Sequence, residues 1–72
     1  MILNRTNKHL VSVGDKLRFY PYDGKEDYII TNIIQGYNKN TLCFTIQNVN
    51  TKQTIYGYPS SHCYGAEIIK ES

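Results

Sequence analysis

The sequence predicts an all-β domain, a small five-stranded barrel with a short 3₁₀ turn before its last strand. Three observations carry that expectation. No stretch repeats apolar residues at helical spacing for the length of a helix. Ile, Val, Thr, Tyr and Phe, which fit a pleated half-buried surface, abound, while alanine appears once, at Ala66. Turn chemistry recurs between the apolar runs, at Gly14 with Asp15, Asp23 with Gly24, Gly36, and the Asn50 to Gln53 stretch.

The elements follow in order. Residues 1–8 form a polar lead with a possible short strand from Ile2, and residues 9–70 make up the barrel. After Gly14 and Asp15, Leu17 and Phe19 alternate with Lys16, Arg18 and Tyr20, which is the pattern of a half-buried strand. Pro21 ends it, because proline has no N–H for a ladder. The second strand runs from about Tyr28 to Ile34. It is too apolar for clean alternation, so it is either central or bulged near Thr31 and Asn32. The third places Leu42, Phe44 and Ile46 on one face and Cys43, Thr45 and Gln47 on the other. A hairpin leads to the fourth, TIYGY, in which Tyr56 and Tyr58 are expected to face away from Ile55. The stretch PSSHCYG reads as a 3₁₀ turn, and the last strand passes through Ile68 and Ile69.

A chain of 72 residues makes one domain. Its margin of stability is small, since so short a chain buries only about 60% of its extended surface. The net charge is +2, and the eight basic residues are spread along the chain without a block or stripe. The two cysteines, Cys43 and Cys63, are too few for a secreted disulfide scaffold, and no signal-like or membrane-spanning run is present. A cytoplasmic setting with reduced thiols is expected, and the Asn4-Arg5-Thr6 sequon is then without meaning. Richness in Asn, Lys, Ile and Tyr, all with AT-rich codons, fits a low-GC bacterium, its phages or its mobile elements.

Seven tyrosines with no tryptophan give the chain its character. Tyr20 and Tyr22 bracket Pro21, while Tyr56, Tyr58 and Tyr64 surround Pro59. A tyrosine combines a broad apolar ring with one polar tip, and it is enriched at binding hot spots. Tyr28 and Tyr37 are expected to be packing or loop residues.

Over residues 10–70 the order VGDKLRF, then YIITNI, then the hairpin TLCFTIQNVNTKQTIYG, then GYPSSHCYGAEII resembles SH3-like barrels. The last stretch is similar to the glycine, proline, serine and tyrosine region that forms a 3₁₀ turn before the final strand of SH3 domains. The resemblance implies a binding fold. It would set Tyr20, Tyr22 and Tyr64 with Pro59 in part of an aromatic groove, and would bring both tyrosine clusters together. The chain departs from the peptide-binding members: it lacks their groove tryptophan, and their acidic loop is reduced to Glu26 and Asp27. Bacterial relatives of the fold, including the nucleic-acid-binding KOW type, remain open.

No pattern points to chemistry. His62 and Cys63 are adjacent, and neighbours on an extended chain point apart, so they make a poor nucleophile and base. His9, Cys43, His62 and Cys63 lack metal-ligand spacing, and the glycines are isolated rather than gathered in a phosphate loop. No enzyme activity, metal or cofactor is expected. The leading expectation is a binding module, a phage or mobile-element accessory protein that docks on a host protein or on itself through Tyr20, Tyr22, Tyr56, Tyr58 and Tyr64, with Arg18 and His62 at the rim. A nucleic-acid binder using Lys16, Arg18, Tyr20 and Tyr22 as a stacking platform is the alternative. A small-ligand sponge, holding a nucleotide on tyrosines at an oligomer seam, is a third.

Overall fold

A computed structural model describes residues 1–21, 24–36 and 41–70. Five antiparallel strands make one sheet: β1 (Lys16–Phe19), β2 (Glu26–Gln35), β3 (Leu42–Asn48), β4 (Thr54–Pro59) and β5 (Glu67–Ile69). Their order across the sheet is β4-β3-β2-β1-β5, so the first four strands form a meander and the last returns beside the first. A 3₁₀ turn, Ser60–Cys63, joins β4 to β5, and another covers Lys8–Leu10. This arrangement is consistent with an SH3-like fold.

The strands form where sequence alternation puts apolar groups on one face. Leu17 of β1, Ile30 of β2, Phe44 and Ile46 of β3 and Ile68 of β5 are buried together with Leu3, Val11, Cys63 and Ala66. Phe44 is fully buried, which by area alone is worth about 1.5–3 kcal/mol. Tyr20 and Pro21 follow β1, and the Gly24 N–H donates to the Pro21 carbonyl at 3.1 Å, so the chain turns before entering β2. Asp23 of the expected turn and most of the Gln35 to Asn40 turn lie outside the described residues.

β3 is the regular strand, and both of its neighbours are bulged at the same level. Ile30 pairs with Ile46 and Ile33 with Phe44, so three steps of β2 match two of β3. Ile55 pairs with Ile46 and Tyr58 with Phe44, so three steps of β4 also match two of β3. The β2 bulge falls at Thr31 and Asn32, where the Thr31 hydroxyl donates to the Thr45 carbonyl at 3.2 Å. The β4 bulge falls at Tyr56 and Gly57, and Gly57 has φ +60°. Such bulges bend a strand and raise its twist. They also reset facing. The expectation that Tyr58 shares a face with Tyr56, away from Ile55, is therefore corrected: the extra residue returns Tyr58 to the core side beside Ile55, while Tyr56 is 81% exposed.

The polar lead carries a short pairing at Ile2, as expected, and through it joins the fold. Leu3 is fully buried, and its N–H donates to the Ala66 carbonyl at 2.8 Å. The Gly65 N–H donates to Leu3 and the Ile68 N–H to Met1, with Ile2 bridging Glu67. Residues 1–3 thus line the side of β5 that β1 leaves open. Asn4 then folds the chain back, its side-chain oxygen accepting from Thr6 and Asn7 N–H groups at 2.9 and 3.1 Å. At the far end the Lys70 ammonium donates to Asp15 at 2.8 Å and to the Leu10 carbonyl at 2.9 Å. The radius of gyration, 11.4 Å, is near the roughly 11 Å expected of one packed domain of this length.

Candidate functional site

The end of β1, the start of β2 and the β3–β4 pair wall a cleft of about 380 Å³. Its apolar walls are Phe19, Tyr28, Ile46, Ile55 and Tyr58, with Tyr20 and Pro21 at one side and, among the described residues, Glu26 as the charged side chain. The strand register explains the gathering. Leu17 pairs with Tyr28 and Phe19 with Glu26, so Phe19 and Tyr28 are diagonal neighbours on the core side. Their rings meet edge to face, 5.6 Å apart at 89°. Across the cleft, Tyr58 reaches this side only because of the Gly57 bulge. Its ring meets His62 edge to face at 5.4 Å and 76°.

The expected site residues divide. Tyr20 and Tyr58 share the cleft, and His62 supports Tyr58 from the 3₁₀ turn. Tyr56, on the bulge, and Tyr64, 37% exposed after the 3₁₀ turn, do not line it. Tyr22 and Tyr37 lie outside the described residues. Tyr28, expected only to pack, is a cleft wall, as are Phe19 and Glu26. Phe19 and Tyr28 could have been paired from the sequence by closing the β1–β2 hairpin on Phe19 and Glu26. The contribution of Ile55 and Tyr58 to one wall had no signal other than the glycine between two tyrosines.

Arg18 faces the other way. It lies between Asp27 and Glu67 in the strand register. Its Nε and Nη2 donate to the two Asp27 oxygens at 2.8 and 2.9 Å, a bidentate pair. Each partner stabilises the other's charge: Asp27 is held below the usual carboxylate range and Arg18 is raised above its own. Beside them the Tyr20 hydroxyl donates to Glu67 at 2.6 Å. That bond raises the Tyr20 pKa, since ionising it would forfeit the bond and set two anions together. The Tyr20 hydroxyl is thus anchored on Glu67, outside the cleft.

Among the described residues, His62 and Cys63 do not pair as a base and nucleophile. Cys63 is buried, its thiol 3.9 Å from the Pro59 carbonyl, and burial pushes its pKa up to about 11. A thiol so protonated is a weak nucleophile at neutral pH. The neighbouring His62 ring packs on Tyr58 instead. Cys43 and Cys63 are both free thiols. Among the described residues no three His, Cys, Asp or Glu side chains cluster as metal ligands, and no helix is long and apolar enough to cross a membrane. Compared with known protein families, with curated proteins and with solved structures, the chain shows no match.

Proposed function

We propose that this chain is a non-catalytic binding module on an SH3-like scaffold, and that it holds part of a protein partner in the aromatic cleft. The supporting observation is the cleft itself: an open concavity of about 380 Å³ in which half-buried aromatic rings are left uncovered. Pockets of this size and lining are where small domains take their ligands. Tyr58 and Tyr20 carry the contact in this reading, with Tyr28 and Phe19 beneath. The codon-biased composition favours a phage or mobile-element accessory protein acting on a protein of a low-GC host.

Two observations weigh against the other readings. Arg18, the centre of a phosphate-binding strand face, is already committed to Asp27. Among the described residues the charge lining the cleft is the carboxylate of Glu26, which repels a nucleotide's phosphates. The test is photo-crosslinking from position 20 in host cells, followed by binding of the captured protein to purified variants. Tyr58→Ala should lose most of the affinity and Tyr56→Ala should keep it. Loss of affinity with both would spread the contact over the whole tyrosine surface, and indifference to Tyr58→Ala would end the cleft assignment.

A further inference from the structure

We propose that the cleft is selective for an organic cation, an alkylated ammonium group, with Glu26 as its counter-ion. This rests on the cleft being the binding site and names the chemistry that fills it. The described carboxylates are not equivalent. Asp15 accepts from Lys70 at 2.8 Å, Asp27 from Arg18 at 2.8 Å, and Glu67 from Tyr20 at 2.6 Å. Glu26 has, among the described residues, one polar contact, from the Tyr28 hydroxyl at a long 3.5 Å. The acidic group without a short partner is thus the one that lines the cleft.

Its surroundings suit a cation with an apolar skin. Aromatic faces carry negative potential and attract cations within about 6 Å of the ring centre. Phe19 and Tyr28, perpendicular to each other, make two walls of a corner, and Tyr58 with Ile55 closes the opposite side. A bare, strongly hydrated cation gains little from apolar walls. A quaternary ammonium gains from both, because its methyl groups fill the corner while its charge meets the rings and Glu26. An anion would be repelled, and a neutral ligand would gain nothing from the carboxylate.

Two sources carry this group: a free small molecule and a methylated lysine side chain on a peptide. The test follows the backbone amide spectrum of the intact protein on titration with choline, with a short peptide bearing trimethyl-lysine, and with the uncharged isostere of choline in which carbon replaces nitrogen. Choline or the peptide should shift Phe19, Tyr28 and Tyr58, and the tighter of the two names the source. The isostere should bind several-fold more weakly. Glu26→Gln, a change at an exposed side chain, should weaken the cation about five-fold and leave the isostere unchanged. Equal binding of cation and isostere, or no response to Glu26→Gln, overturns the inference while leaving an apolar-binding cleft intact. Absence of shifts with every probe overturns it too, whereas the partner-binding reading fails separately, on Tyr58→Ala.

Discussion

Replacing Gly57 by alanine tests the bulge that brings Tyr58 into the cleft. Gly57 sits at φ +60°, and a Cβ built there meets no atom within 4 Å. The cost is therefore backbone strain alone. An L-residue in the left-handed region costs about 1–2 kcal/mol. Alanine returns about 0.4–1 kcal/mol by restricting the unfolded chain. The net is a loss of about 1 kcal/mol, which for a domain of this size lowers Tm by roughly 4–8 °C. Thermal and urea unfolding followed by circular dichroism read the loss. A chemically synthesised chain with D-alanine at the same position supplies the control, because a D-residue prefers positive φ. It should match or exceed the parent. If L-alanine is neutral and D-alanine destabilises, Gly57 is not left-handed and β4 carries no bulge there. Tyr58 would then share a face with Tyr56, and the cleft would lose a wall.

Three further outcomes follow from the packing and the ion pairs. Leu3→Ala removes a fully buried side chain and should cost about 2–5 kcal/mol by urea unfolding, whereas a polar lead lying outside the core would tolerate it. Asp27 is held below its ordinary value of 3.8 by Arg18, so its contribution is present above that value and lost as the pH falls through the depressed one. Unfolding followed as the pH falls through 3.8 and below should show that loss, and Arg18→Gln should flatten it. Cys63 is raised from 9.0 to about 11, so its contribution is full below pH 9.0 and lost as the pH rises through about 11. In a thiol-reagent assay at neutral pH, Cys63 should react only on unfolding, while the half-buried Cys43 reacts in the native protein.

The strand count, the 3₁₀ turn and a β2 that is either central or bulged were legible because each rests on local signals: period-two alternation, proline and glycine punctuation, and an apolar run too long for one face. The facing of Tyr58 was not. A bulge slips the register by one residue, and a single glycine between tyrosines states the slip too faintly to read in advance. Leu3 was obscured by its polar neighbours Asn4 to Lys8, because one buried side chain in a bridge has no periodicity. The cleft depended on which diagonal neighbours meet across β1 and β2, so Tyr28 was assigned to packing although the same ring both packs and lines the opening. Tyr20 was placed at the site, but its bond to Glu67, 47 residues away, belongs to tertiary structure alone.

The pairing of residues 1–3 with residues 65–68 has a consequence for how the protein is made. Leu3 is covered only once residues more than sixty positions further along the chain are in place. Loops of such length close at a large entropic cost, repaid only once both segments are in place. During synthesis the β1–β4 meander can assemble from neighbours in the chain, but it does so with one side of β1 unpaired and Leu3 in water. The finished domain therefore appears in one late step, after β5 has emerged, and a nascent chain stalled before Glu67 should remain open to proteolysis at residues 1–3.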